Sequence, residues 1–462
     1  MTSAVRFDPE LVRRHDRLGP RYTSYPTAVQ FHEGFGEREY RAAAQASNTD
    51  ADRPLSLYVH IPFCSSPCFY CGCNKVVTRS VERADVYLER LDREVALQAS
   101  LFARSRPIEQ LHFGGGTPTF LTHSQLESVV ASLDRHFGLN NDSLREYSIE
   151  IDPRTVGFET LALLRALGFN RMSVGVQDCD PDVQRAVNRF QPPEEILRVI
   201  QQARQLGFGS VSVDLIYGLP LQTLGSFERT LDTVLTARPD RLAVYGYAHM
   251  PQLFKPQKRI KVEQLPTSDT RLELLGLTIG KLTDAGYVYV GMDHFALPDD
   301  ELVRALGEGH LHRNFQGYST RAHCDLVGLG VSSIGKIGNS YAQNAKTLPE
   351  YYAAIESGRL AVQRGLWLND DDILRRDVIQ NLMCHGIIDF DAVSSRHSID
   401  FKKYFASELG RLTQFVGDGL ATIDERRIEA TPAGRLLIRN IAMTFDAYLG
   451  TAEARPVFSK AI

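Results

Sequence analysis

Between Leu55 and about Met250 the sequence alternates six short runs of β-branched and aromatic residues with longer amphipathic stretches. Strands that alternate with helical segments read as a parallel α/β sheet, because parallel neighbours need a crossover between them. The runs are SLYVHI, EQLHF, EYSIEI, RMSVGV, SVSVDLI and DRLAVYGY, and a segment such as ERADVYLERLDREVALQASLF supplies a crossover helix. Six βα units fall short of a full eight-unit barrel. The expected fold is therefore α/β: a partial (β/α)6 TIM-like barrel over residues 51–368, which the chain beyond about residue 266 helps to close. That later stretch begins with a helix, SDTRLELLGLTIGKLTDAG, closed by Gly286, and continues through a short strand near YVYVGM into the glycine-rich GLGVSSIGKIGNSYAQN. Residues 1–50, with aromatic residues and prolines gathered in GPRYTSYPTAVQF, are expected to form an N-terminal arm docking on the active site. Residues 369–462 open on the charged, helix-forming DDDILRRDVIQNLMCHGIIDF, and are expected to form a smaller, mostly helical C-terminal domain.

A formal charge of −4 and 43% hydrophobic content suit a globular chain with a sizeable core. No polybasic run marks a nucleic-acid or anionic-membrane binder, and no stretch is apolar enough to span a bilayer or act as a secretory leader. The expectation is a cytoplasmic monomer acting on a small molecule. The triplet Asn141-Asp142-Ser143 matches a glycosylation pattern, but without a secretory signal it carries no weight.

Seven cysteines are present, and four of them, Cys64, Cys68, Cys71 and Cys73, fall within ten residues. In a reducing compartment such clustering points to metal or redox chemistry rather than to disulfides. Cys64, Cys68 and Cys71 are spaced C-x3-C-x2-C directly after the first strand, among Pro62, Pro67 and Gly72, which argue for a loop. Three thiolates there can hold three corners of a 4Fe-4S cluster, where a full protein ligand set has four. Two alternatives stand beside that reading: a zinc site completed by Cys73 or His60, and a group of merely structural thiols.

In βα barrels functional groups gather at the carboxyl ends of strands, and the remaining special residues obey the rule. The second strand runs into Gly114-Gly115-Gly116-Thr117, the third and fourth end near Glu150 and Gln177, Asp214 lies in the fifth, and Ala248 follows the sixth. The glycines permit close backbone approach, to a ligand or within a tight turn. Glu150 and Asp214 sit among apolar neighbours and each needs a partner. Arg189 suits a carboxylate, of a ligand or of the protein. GLGVSSIGKIG departs from the dinucleotide fingerprint in its spacing, and His310, His312 and His323 are read as polar loop residues rather than ligands.

The fuller text is more specific. RYTSYPTA, YVHIPFC, CxxCGCNK, HFGGGTPT, SIEIDP, GVQD, VNR, DLIYGLP, YAHMP, RNFQGYST and IGNSYAQN together resemble the oxygen-independent coproporphyrinogen III oxidase (dehydrogenase) family of the radical S-adenosylmethionine superfamily, over nearly the whole chain. The resemblance implies a 4Fe-4S cluster on Cys64, Cys68 and Cys71 with one iron open to S-adenosylmethionine (SAM), and two bound SAM molecules. Carried over by motif, the first would meet Tyr58, Gly115, Glu150, Phe315 and Ile334, and Gln316 is a further cofactor-binding candidate. The second would meet Tyr70, Gly116, Thr117, Gln177, Arg189, Asp214 and Ala248. Catalytic roles fall to Cys73, Tyr58 and Glu150. The implied reaction is radical oxidative decarboxylation of two propionates of coproporphyrinogen III to vinyl groups, in porphyrin (haem) biosynthesis, fed by a low-potential donor such as flavodoxin or ferredoxin. Arg21, Arg313, Arg321 and Lys336 are the cations best placed in the motif-bearing segments to meet substrate carboxylates. A haem-binding chaperone and a radical SAM methyltransferase relative are the competing readings.

Overall fold

In the computed structural model, which describes residues 5–449 and 458, each of the six runs is a strand: β1 Leu55–Ile61, β2 Ile108–Gly115, β3 Glu146–Ile151, β4 Arg171–Gln177, β5 Ser210–Tyr217 and β6 Arg241–Gly246. Each pairs with the next in parallel. Side chains alternate between the two faces. In β5, Val211, Val213 and Leu215 are fully buried in one apolar cluster with helix residues Ile200 and Leu231, while Ser210, Ser212 and Asp214 line an inner cavity. Burying each such aliphatic side chain contributes roughly 1.5–3 kcal/mol, so the helix-covered face fixes the register and leaves the inner face free for polar residues.

The crossover helices end where their sequences stop them. His123–Phe137 begins at Thr122, whose hydroxyl accepts from the Gln125 amide while Gln125 reaches back, and it closes on Gly138 at φ 73°. Ser268–Asp284 is the helix expected before Gly286, which takes φ 86°.

Beyond the six units the sheet extends at both edges. β7 Val288–Gly291 and β8 His294–Ala296 form a hairpin beside β6, and β9 Asp325–Leu329 lies parallel to β1. β10 Ile334–Ile337, β11 Ser340–Asn344 and β12 Val362–Trp367 then continue antiparallel. The order is β12-β11-β10-β9-β1-β2-β3-β4-β5-β6-β8-β7, twelve strands whose outer members do not pair, so the partial barrel stays open. The glycine-rich stretch, to which sequence pattern assigns no element, is the β9–β11 meander. A Cβ at Gly328 would stand 2.9 Å from the Ile334 backbone, and one at Gly335 would stand 2.8 Å from the Leu326 carbonyl oxygen, so these glycines let paired backbones close up.

Inner-face residues of five successive strands, among them Gln110, Ser148, Ser173, Ser212 and Tyr245, line one cavity of about 200 Å3, which fixes the sheet's curvature around it. Toward the C-terminus, helix Asp370–His385 starts at an Asn369 cap, and a three-stranded sheet (Ile387–Asp389, Ala421–Ile423, Arg427–Ala430) packs with helices Phe390–His397 and Ala406–Gly417. The core of this module takes in Tyr22 and Tyr25 from the N-terminal segment. The Tyr22 hydroxyl donates to Asp446 at 2.9 Å, and the Ala447 amide donates to the Tyr25 hydroxyl at 3.0 Å. Among the described residues no helix is long and apolar enough to cross a membrane.

Candidate active site

The cysteine loop is held at both ends. Phe63–Cys64 pairs with Val76–Val77, closing the loop on itself. The Gly116 amide donates to the Ile61 carbonyl and the Thr117 amide to that of Phe63, both at 2.8 Å, which fastens the loop to the turn after β2. A Cβ at Gly116 would lie 2.7 Å from the Phe63 carbonyl oxygen, and one at Gly115, already at φ 113°, would lie 2.6 Å from the His60 ring. The close approach that these glycines permit is thus first of all an approach to the cysteine loop.

Cys64, Cys68, Cys71 and Cys73 are free thiols lining one cavity of about 310 Å3 at the carboxyl ends of the strands. Thr117 Oγ1 donates to Cys64 Sγ at 3.5 Å, Arg189 Nη1 donates to Cys68 Sγ at 3.5 Å, and the Cys73 amide donates to Cys71 Sγ at 3.4 Å. The Cys73 side chain, with the charge of Lys75 and against the effect of burial, brings the Cys71 thiol down to about 5, whereas burial pushes Cys64 up to about 11 despite Thr117. The donor set discriminates between the two metal readings. Tetrahedral zinc at about 2.3 Å from each sulfur would hold its ligand atoms roughly 3.8 Å apart, yet among the described residues no three of these cysteine sulfurs lie within 4.8 Å of one another. His60 is also committed: its Nδ1 shares a hydrogen bond with the Tyr58 hydroxyl at 3.1 Å and its Nε2 one with the Asn74 carbonyl at 3.0 Å. Thiols spread around a cavity of this size fit a cluster and not a single zinc ion.

Two carboxylates face the same cavity and are tuned apart. Glu150 takes a hydrogen bond from the Gly115 amide at 3.2 Å and lies 3.4 Å from His112 Nε2. Burial pushes its pKa up, but the bond and charge of His112 together with the Gly115 amide outweigh that, and the net shift is downward. Asp214 has the Ser173 hydroxyl at 2.8 Å; burial first, offset by that bond, and then the charge of Glu150 bring it up to about 7. At neutral pH one carboxyl is ionised and the other is poised between its two states. Arg189, 7% exposed, is held by Asp152 at 3.1 Å and the Gly175 carbonyl at 2.6 Å.

The cavity brings together Tyr70, Gly115, Gly116, Thr117, Glu150, Gln177, Arg189 and Asp214 with the four cysteines. Tyr58 does not line it; its ring stacks on His112 at 5.8 Å, one layer beneath Glu150. Ala248 also lies outside the lining, its carbonyl and that of Tyr70 both accepting from Gln257 Nε2. Gln316 lines the central cavity, Phe315 lines a smaller pocket, and Ile334 packs in the apolar cluster that holds Phe315 and Tyr341. Sequence reasoning missed Asp152, Arg154, Ser173 and Tyr245, all of which line the cavity. Asp152 and Arg154 stand one and three residues past the end of β3, so the strand-end rule applied a little further would have found them.

The Radical SAM superfamily profile matches residues 58–234, and the HemN C-terminal domain profile matches residues 368–437. The chain is 51% identical over 462 residues to the oxygen-independent coproporphyrinogen III oxidase of Pseudomonas aeruginosa, covering 100% of both sequences. To the enzyme of the same description from Escherichia coli K12 it is 48% identical over 458 residues, 99% of each. The solved structure of coproporphyrinogen III oxidase (HemN) from Escherichia coli, described as a radical SAM enzyme, superposes with a TM-score of 0.92 at 47% identity, over 97% of this chain and 100% of that one.

Proposed function

This chain belongs to the oxygen-independent coproporphyrinogen III oxidases of the radical SAM superfamily, and from that membership we propose that it decarboxylates two propionates of coproporphyrinogen III to vinyl groups, giving protoporphyrinogen IX. The supporting observation is a single cavity that joins three cluster-competent thiols to Glu150 of β3, Asp214 of β5 and Arg189 of the loop that follows the short helix Pro181–Ala186. When bound, a 4Fe-4S cluster and SAM supply a reductively generated hydrogen-abstracting radical and so carry the difficult chemistry.

The protein's own part is to hold and orient. Cys64, Cys68 and Cys71 are the cluster ligands in this reading, and Cys73 remains a free thiol at the cavity wall. Glu150, ionised at neutral pH and buttressed by His112 over Tyr58, accepts hydrogen bonds from amino or hydroxyl groups of the first nucleoside. Gly115 offers unobstructed backbone there, with Phe315, Gln316 and Ile334 on the far side. Asp214, Gln177, Tyr70, Gly116 and Thr117 serve a second nucleoside, whose carboxylate meets Arg189, with Ala248 beyond. Arg189 is already stabilised by Asp152, so its charge stays in place before and after binding. The electron source in this reading is a low-potential protein such as flavodoxin or ferredoxin, and the enzyme acts as a monomer.

Anaerobic reconstitution with iron and sulfide, followed by assay with coproporphyrinogen III, tests the proposal. Carbon dioxide release with stepwise vinyl formation is the expected result. Methyl transfer, or tight haem binding without SAM cleavage, would replace it with one of the two competing readings.

A further inference from the structure

Three cations that form no ion pair among the described residues meet in a small pocket on the side of the central cavity away from the cysteine loop. The pocket, about 20 Å3, is lined by Arg313, Lys336 and Arg376, with Gln110 and Phe315 beside them, and no acidic residue lines it. Arg313 is 3% exposed. Its Nε donates to the Arg21 carbonyl at 3.4 Å and its guanidinium lies 4.9 Å from the Tyr318 ring centroid, but its buried Nη1 has no partner. Arg376 donates through Nη2 to Asn339 at 3.2 Å, and its Nη1 is likewise buried and unpartnered. Lys336, on β10, forms no ion pair among the described residues, and burial followed by the charge of Arg376 depresses its pKa. Arg321 also reaches the pocket wall but is consumed elsewhere, by Glu109 and Glu146 at 3.0 Å each. Arg21 faces Asp293 at 3.3 Å instead.

A buried guanidinium with an unpartnered donor, as at Arg313 Nη1, is costly, and an incoming anion removes the cost. A void of this size exceeds the roughly 10–15 Å3 that one water needs and is far too small for a nucleotide; a carboxylate would take the place of that solvent between the cations. Its place in the fold says which carboxylate. Gln110 lines both this pocket and the central cavity, while the central cavity shares Glu150, Ser173, Asp214 and Tyr245 with the cysteine cavity. No residue lines both the cationic pocket and the cysteine cavity. A carboxylate held here lies across the central cavity from the cysteine loop.

We infer that Arg313, Lys336 and Arg376 form a carboxylate subsite that anchors one non-reacting propionate of the tetrapyrrole. The assignment rests on the proposed substrate, and it deepens that reading by fixing the end of the molecule opposite the chemistry.

The test uses reconstituted holoenzyme with SAM bound and titrates it with coproporphyrin III, the oxidised and unreactive tetracarboxylate, by fluorescence. Arg376→Met and Lys336→Met should each weaken binding about tenfold and raise KM for coproporphyrinogen III in proportion. Iron content and SAM affinity should stay at wild-type values, and Lys336→Arg should restore tight binding. Variants that bind coproporphyrin III as tightly as the parent overturn the assignment alone. So does a pattern in which only competition by free acetate is lost, since the pocket would then be a site for small free anions. A parent enzyme that binds no coproporphyrin III overturns the assignment together with the substrate reading beneath it.

Discussion

Lys336 allows the electrostatic cost of gathering the three cations to be worked out and tested. Burial, with Arg376 and Arg53 adding repulsion against the partial relief of Asp325, lowers its pKa from 10.5 to about 8. At neutral pH the neighbour Cys324 supplies no compensating negative charge, because burial raises its pKa, and His312 adds no further positive charge, because burial lowers its pKa. A base whose folded pKa lies below its unfolded value binds fewer protons when folded, so the penalty is fully present below about pH 8 and disappears as pH rises toward 10.5. At about 1.4 kcal/mol per pH unit the ceiling is roughly 3 kcal/mol. Lys336→Met removes the charge and keeps most of the volume, so the variant should be more stable than the parent at pH 7 and melt a few degrees higher. Thermal unfolding of the two holoproteins, compared from pH 7 to pH 9.5, should show the gap narrowing as pH rises. A variant that is less stable at pH 7, with a difference independent of pH, would mean that the lysine is satisfied in the folded protein and would refute the reasoning. Combined with weaker coproporphyrin binding, the expected gain identifies a side chain retained for binding at the expense of stability.

Three further outcomes are expected. Cys64→Ala, Cys68→Ala and Cys71→Ala should each lose reconstituted iron and acid-labile sulfide and all turnover while keeping the parent's circular dichroism; undiminished activity in any of them would remove that residue from the ligand set. Asp152→Asn leaves Arg189 and Arg154 without the carboxylate between them, a loss of about 3 kcal/mol for a broken buried pair, and it should lower the melting temperature and weaken SAM binding by equilibrium dialysis together. In Gly116→Ala the new methyl meets the backbone of Pro62 and Phe63, so the cysteine loop must move; cluster content well below wild type is expected, and a full cluster would show that the loop yields freely.

Much of this was legible in the chain itself. Alternation of apolar and polar residues placed all six core strands, because a face packed against helices tolerates only one register. The cysteine loop was legible because its thiols are neighbours in sequence and need no folded context to be recognised. Local residues also carried Glu150 and Asp214, marked by their position in otherwise apolar strands. The glycine-rich stretch was not legible as strands, because its glycines answer to backbones that approach only after folding.

What the sequence settled by itself is therefore local: the strand rhythm, the thiol spacing and the carboxyl ends where chemistry collects. Which charges are spent and which remain free was decided by tertiary structure alone. Arg321 finds Glu109 more than two hundred residues away and Arg21 faces Asp293 at a similar remove, whereas Arg313, Lys336 and Arg376 converge in a pocket whose described lining holds no acid. Electrostatic pairing depends on distance in space, and no pattern along the chain encodes that distance until the barrel curves.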